Sequence, residues 1–259
     1  MKKNLLIILV FVGTVISYGQ NETAFDSGEW FKFKMSYSGF FKAGEATLTV
    51  KNDTYKGKPV YHVIGKGKTT GPIRWVFKVK DRYESYFDKT TGMPYKFVRD
   101  IDEGGHTKKI VIEFDHENKK AHINDIKHKK RKVVSTKDSI QDLVSAFYYL
   151  RNNYDTDLIE EGDYVTLNMF FDAENYPFKL KFLGRDQIRT KFGKINTLKF
   201  RPYVMAGRVF KESESLTLWV SADKNKIPLK IKADLAVGSL RADLEEFRGL
   251  KHPFNIVFD

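Results

Sequence analysis

His106, His116, His122 and His128, with Asp115, Glu117 and Asp125 among them, form the densest run of imidazole and carboxylate groups in the chain. Brought together, such groups could bind zinc or move protons, but a metal needs its ligands to converge. Spacings of ten, six and six residues fit neither a helical pair nor a zinc-binding pattern. The sequence therefore predicts exposed residues on a basic hairpin and no metal site. Asp81, Glu84 and Asp88 are the next candidates. On a strand Asp81 and Glu84 point to opposite faces, a poor arrangement for general acid/base work, whereas Arg82 and Glu84 share a face and suit a salt bridge. The chain has no G-x-S-x-G elbow, H-E-x-x-H helix, P-loop or dinucleotide fingerprint, and with no cysteine it has no thiolate chemistry. The expectation is a protein that is not an enzyme and uses no cofactor.

Two other groupings carry more chemistry. Lys127 to Lys132 reads KHKKRK, the most charged stretch of a chain whose formal charge is +12. Lys127, Lys129, Lys130 and Arg131 are candidates for an acidic headgroup; the competing reading is a solvated loop. The second grouping is aromatic: 21 Phe and 13 Tyr bring the aromatic share to 14%, and Tyr148 and Tyr149 directly follow Phe147. That is more aromatic surface than one buried helical stripe requires. Phe147, Tyr148, Trp75 and Trp219 are the residues expected to wall an apolar cavity.

The elements that must position these groups follow from periodicity. Asp138 to Tyr154 is the long segment with helical spacing, since Ile140, Leu143, Val144, Phe147 and Tyr154 fall on one stripe. Asp138 or Ser139 is expected to cap it, with Asp142 in the first turn. Nearly everything else alternates as strands do. Strands are expected at Glu29–Tyr37, Gly44–Val50, Val60–Lys66, Arg74–Phe87, Met93–Ile101, Lys108–Asp115 and Ala121–Ile126. Beyond the helix they are expected at Tyr164–Phe171, Phe178–Gly184, Gln187–Lys191, Ile195–Tyr203, Arg208–Phe210, Ser215–Ser221, Ile227–Asp234 and Ser239–Phe247. A helix of about fifteen residues would span four or five strands. The fold class predicted is mainly β (α+β), a curved antiparallel sheet or open half-barrel around one main helix, 138–154.

Lys2 and Lys3 precede the apolar run Leu5–Ser17, and Ser17 and Gly19 occupy the small positions of a cleavage site. Residues 1–19 are expected to be a cleaved signal peptide, leaving 20–259 as a single β-rich domain. Removal of the two lysines lowers the charge to +10. The absence of cysteine removes any lipid-attachment thiol. Phe87–Phe97 and Ser221–Ile231 share an order of Asp-Lys, polar loop, apolar residue and proline, with Gly104 and Gly238 ten residues after Pro94 and Pro228. They suggest two related hairpin halves flanking the helix.

The blocks GEATLTV, DRYESYFDKTTGMPYKF, DLVSAFYYLRN and LWVSADKNKIPLKIKADLAVGSLRADL, spread over nearly the whole mature chain, resemble the exported bacterial family known as domain of unknown function 3108. That resemblance implies export and no established activity. More distantly, the plan is similar to the Lol-pathway lipoprotein carriers and receptors, whose antiparallel half-barrels wrap helices around an apolar cavity. The block LWVSADKNKIP carries that likeness. The chain departs from it in having one clear helix and no lipid-attachment cysteine. Together these readings predict a non-enzymatic cell-envelope protein, periplasmic or secreted. It would bind a hydrophobic or amphipathic lipid-like molecule between sheet and helix, with no nucleic-acid partner and no transmembrane segment after signal cleavage. The alternative is a structural or assembly protein that binds protein or polysaccharide through its outer surface. A hydrolase acting on envelope polymers would need a buried carboxylate or histidine in a cleft, and no pair can be nominated.

Overall fold

The computed structural model describes residues 22–203, 216–235 and 238–258. The expected signal peptide and the strand expected at Arg208–Phe210 lie outside them. Eight strands come first: β1 (Trp30–Tyr37), β2 (Phe41–Tyr55), β3 (Lys58–Thr69), β4 (Val79–Asp88), β5 (Pro94–Glu103), β6 (His106–Asp115), β7 (Lys120–Asp125) and β8 (Lys130–Ser135). A single helical turn, α1 (Ile73–Val76), lies between β3 and β4, and the eleven-residue α2 (Leu143–Asn153) follows β8. The chain then adds β9 (Tyr164–Phe171), β10 (Glu174–Thr190), β11 (Gly193–Tyr203), β12 (Leu216–Ser221), β13 (Pro228–Asp234) and β14 (Ser239–Arg248). The molecule is mainly β, as the alternating pattern requires.

All fourteen strands belong to one curved open sheet in the order β8-β7-β6-β5-β4-β3-β2-β1-β14-β13-β12-β11-β10-β9. Every neighbouring pair is antiparallel. Each half is an up-and-down meander, and pairing of β1 with β14 joins them. Consequently the turns β1–β2, β3–β4, β5–β6 and β7–β8 gather at one end of the sheet, and α2 enters from the other. Residues after β8 bring the two edges together. Gln141 donates its backbone N–H to Asn168 O and accepts from Phe170 N, each at 2.8 Å, and Asn175 clamps Ser135 and Lys137 through its side-chain amide.

Four segments differ from the sequence expectation, the first being the unanticipated strand β8 within and after the basic run. The helix starts at Leu143, not near Asp138, because Asp138 and Ser139 form a turn, Ser139 at φ +50°, and Gln141 is drawn into a bridge with Met169 of β9. Asp142 is the N-cap: its Oδ1 accepts from Val144 N and Ser145 N, and Ser145 Oγ accepts from Asp142 N. The helix buries Val144, Ser145, Ala146, Tyr148 and Arg151; of the anticipated stripe Ile140 and Val144 are buried, Phe147 and Tyr154 half-buried and Leu143 exposed. Third, Arg74–Phe87 is not strand throughout. After Gly71 and Pro72 the chain makes the turn of α1, closed by Phe77 N to Ile73 O at 2.8 Å, before β4 begins. Fourth, Phe178–Gly184 and Gln187–Lys191 are one strand, β10, interrupted by a bulge at Gly184, whose φ of +104° suits glycine.

α2 packs on β4 and β9. Tyr148 is fully buried against Phe25 (ring centroids 4.6 Å) and Phe87 (5.8 Å), within a cluster that includes Val63, Phe97, Ile112 and Phe170. A second cluster forms around Phe31, Phe33, Ile195 and Leu229, and a third around Phe182, Leu198 and Phe200.

Candidate functional site

Cross-strand register builds a two-row floor on the concave face of β5–β8. Arg99, Ile110, Asp125 and Lys130 lie side by side in one row, and Phe97, Ile112, Ile123 and Lys132 in the next. Because side chains alternate along a strand, rows two residues apart share a face. The apolar members sit on the inner strands and the lysines on the edge strand β8. The tip of the β9–β10 hairpin, Phe171 to Ala173, approaches from the opposite edge and closes a groove of about 700 Å³. The groove thus lies at the seam between the two sheet edges.

Its polar groups are unevenly partnered. Asp172 accepts from Arg99 Nη1 at 2.5 Å and Lys108 Nζ at 3.4 Å, which ties the hairpin tip to β5 and β6. The Arg99 guanidinium also lies 4.9 Å from the Phe171 ring. Lys127 donates to Thr107, and His128 Nδ1 lies 2.7 Å from Asp125 Oδ2; the His128 hydrogen bond holds Asp125 below the usual carboxylate range. Six cationic side chains border the groove, Arg99, Lys108, Lys127, Lys130, Arg131 and Lys132, against two carboxylates, Asp125 and Asp172. Among the described residues Lys130, Arg131 and Lys132 have no carboxylate partner. An apolar floor with surplus positive charge on one bank suits a molecule with an apolar body and an anionic end.

Of the anticipated headgroup residues, Lys127, Lys130 and Arg131 reach this groove, while Lys129 projects from the β7–β8 turn with φ +53°. The basic run is therefore part turn and part edge strand. The anticipated wall residues do not converge. Tyr148 is core; burial pushes its hydroxyl well above the usual phenol range, with the Glu29 carboxylate adding to the rise. Phe147 borders a small apolar pocket of about 50 Å³ with Leu150, Leu180, Leu198 and Phe200. Trp219 pairs across the strands with Lys199 and Lys230 and packs half-buried against the cluster of Phe31, Ile195 and Leu229, and its Nε1 donates to Asp186. Trp75 is 88% exposed on α1.

The residues missed in the sequence are Arg99, Lys108 and Asp172. Strand alternation could have placed Arg99 and Lys108 on one face, but no local signal brings Asp172 from 73 residues away. Of the four clustered histidines, His116 Nε2 meets Pro94 O and His128 meets Asp125; among the described residues no three His, Asp or Glu side chains converge on a metal-sized site. Arg82 and Glu84 form the expected salt bridge at 2.5 Å, joined by His62 at 2.7 Å. Burial raises the Glu84 carboxyl, but bonds from Arg82 and His62 outweigh it and leave it lower than usual.

Deeper in the molecule, Arg151 of α2 makes a two-pronged bond to Glu29, Nη1 to Oε1 at 2.7 Å and Nη2 to Oε2 at 2.6 Å. It also donates to the carbonyls of Asn225 and Ala24. Both ions are buried, and the rings of Phe25, Phe31, Phe147 and Tyr148 surround the guanidinium. Every guanidinium nitrogen is bonded, so the arrangement has the character of a structural clamp.

The fold and groove define a class: a β-barrel-like protein with a polar-banked apolar groove. The chain belongs to the family described as "Protein of unknown function (DUF3108)", whose pattern matches residues 32–245. Among solved structures it is similar to a beta-barrel-like protein of domain of unknown function DUF1849 from Brucella abortus. The two share 8% identity at a TM-score of 0.55, covering 86% of this chain and 98% of that one. At that identity the likeness is one of fold. A protein with YmcC-like fold from Bacteroides fragilis matches at 8% identity and a TM-score of 0.34, over 87% of this chain and 98% of that one. No curated protein matches the chain. Among the described residues no helix is long and apolar enough to cross a membrane.

Proposed function

We propose that this chain is a non-enzymatic cell-envelope protein that holds a lipid-like anionic amphiphile in the groove between β5–β8 and the β9–β10 tip. The carrying observation is the juxtaposition of an apolar floor, Phe97, Ile110, Ile112 and Ile123, with the carboxylate-free bank Lys130, Arg131 and Lys132. The space between helix and sheet suits the ligand less well, since Tyr148 and its neighbours fill it on the β4 side and about 50 Å³ remains beside Phe147. Export with cleavage after Gly19 belongs to the same reading, as does a single domain built from two related halves flanking the helix. Supporting the halves, β6 to β1 and β14 to β9 run in the same relative order. Pro94 and Pro228 lie opposite Phe87 and Val220, and each is followed by an extra residue on its own strand, Tyr95 and Leu229, that makes a bulge.

Titration calorimetry with dodecyl phosphate, below its micelle concentration, is the test. Saturable binding is expected with dodecyl phosphate and much less with dodecanol. Reversing Lys130 and Lys132 to Glu should weaken the phosphate binding by about ten- to a hundredfold, as loss of two charge contacts implies. No saturable heat, or equal heats for the charge-reversed protein, would sink the proposal. Lysines on β8 would then serve only to keep an open sheet edge from pairing with other chains.

A second reading, an outer surface that binds polysaccharide, is favoured by a half-buried aromatic ladder. Tyr55 and Tyr95 are nearly parallel at 6.5 Å, His62 stacks on Tyr86 at 3.9 Å, and Lys58 lies 4.9 Å over Tyr95.

A further inference from the structure

The end of the sheet where the groove opens carries a second unusual feature. In the β1–β2 turn Phe40 is 86% exposed and Phe41 69%; in the β3–β4 connection Trp75 is 88% exposed, Val76 89% and Phe77 52%. Large side chains this bare are ordinary when scattered, but here five cluster in two adjacent turns. Thr70 N donates to Ala43 O at 3.1 Å, which fastens the base of one turn to the other. Gly104 N donates to Lys78 O at 2.8 Å, and the Phe77 ring lies against Gly104, so the β5–β6 turn supports the same base. The tips are held from below and bare above.

Charge indicates what covers them. Residues 38–42 and 70–78 contain Lys42, Arg74 and Lys78 and no Asp or Glu. Among the described residues Lys42 and Arg74 have no acidic partner, and Lys78 has only Asp102 at 3.8 Å. Further along the same end, the β7–β8 turn adds Lys127 and Lys129. Trp and Phe on projecting turns, flanked by Lys42 and Arg74 with no acidic partner and by Lys78, match a lipid–water interface that carries phosphate: rings enter the headgroup layer and cations meet its negative charge. A protein partner would more often meet such residues as a flat or grooved patch with a mixed polar rim.

We propose that the β1–β2 and β3–β4 turns dock this protein on an anionic lipid bilayer, with Phe40, Phe41, Trp75 and Val76 inserted among headgroups and Lys42, Arg74 and Lys78 on lipid phosphates. The docked orientation sets the mouth of the groove, at His106, Thr107 and Lys127, toward the membrane. Docking stands on its own residues and goes beyond the ligand-binding reading; either can fail alone.

The experiment is co-sedimentation of residues 20–259, free of the apolar leader, with vesicles of phosphatidylcholine alone or containing about one third phosphatidylglycerol. Sedimentation is expected with the anionic vesicles, with a blue shift in tryptophan emission that Trp75→Phe removes. The Phe40→Ser, Trp75→Ser double variant should cut the bound fraction about tenfold at equal lipid. Because both side chains point into solvent, its thermal melt and its binding of dodecyl phosphate should match those of the unaltered protein. Absence of sedimentation with anionic vesicles would overturn the proposal, as would undiminished sedimentation of the double variant. A lipid-independent dimer that the same substitutions dissolve would overturn it too, giving the patch to a second copy of the chain.

Discussion

Arg151 shows how one residue can tie distant parts of this chain together. Its guanidinium reaches Glu29 ahead of β1, Ala24 near the start of the described chain and Asn225 in the β12–β13 turn. Removing a charge from water is costly, and only full bonding within the cluster offsets it. Arg151→Met would leave Glu29 buried without a partner and should destabilise the protein by about 3–5 kcal/mol. Adding Glu29→Leu should recover a substantial part of that loss, because a neutral pair of similar bulk carries no desolvation cost. Urea unfolding midpoints of the single and double variants check both statements; equal midpoints for the two would show that an unpaired Glu29 carries no cost there.

At the scale of elements, α2 depends on Asp142. Burial pushes its carboxyl up to about 6 from 3.8, even though Ser85 Oγ, Ser145 N and Val144 N all donate to it. A carboxyl with a raised folded pKa binds its proton in the folded state between about pH 4 and 6, where the unfolded chain has lost it. The Asp142 contribution to stability is therefore greatest below pH 4, falls as the pH rises through 6, and is level above. Asp142→Asn keeps an acceptor oxygen for the cap without the charge. The variant should gain on the unaltered protein by on the order of 3 kcal/mol between pH 4 and 7. Asp81, raised to about 6 by burial and by the Glu103 carboxylate, titrates in the same window, so the difference between the two proteins is the quantity to follow. A difference that stays constant with pH, in melts taken across that range, would count against a buried charge at Asp142.

On the scale of the whole molecule, a single sheet must close its interior without a β8–β9 ladder. Part of the closure comes from the C-terminal segment. Val257 N donates to Lys194 O, Asn225 holds the carbonyls of His252 and Pro253, and Phe254 packs against Phe192 and Phe247 with centroids 6.0 and 4.9 Å apart. Phe254→Ala should cost about 2 kcal/mol, since the ring is only partly buried and its neighbours can relax. Hydrogen exchange should then speed first at β11 and β14, the strands carrying Lys194 and Phe247 or adjoining their cluster. Exchange that quickens uniformly across the sheet would mean the segment is not a local closure.

Alternation of apolar and polar residues determined nearly every strand of this protein, because a strand that buries one face writes a period of two into its sequence. The same logic gave Tyr164–Phe171 its observed bounds and set Arg82 beside Glu84. Family membership was legible too, in four blocks spread along the chain. Helix placement was less so: Ile140 fits the helical spacing, yet a turn at 138–139 and a bridge from Gln141 to β9 take the segment out of the helix, and only the tertiary structure decides between competing hydrogen bonds. The groove was half legible. Lys127, Lys130 and Arg131 stand out as a charge run, but Arg99, Ile110 and Ile123 become their neighbours through strand register, and Asp172 through the curl that brings the two sheet edges together. Trp75 makes the same point in reverse: an aromatic residue reads as core in a sequence, whereas the turn that follows Gly71 and Pro72 carries it into solvent. Local pattern fixes which face of an element is apolar; which elements then meet, and what is left bare, depends on contacts between residues far apart in the chain.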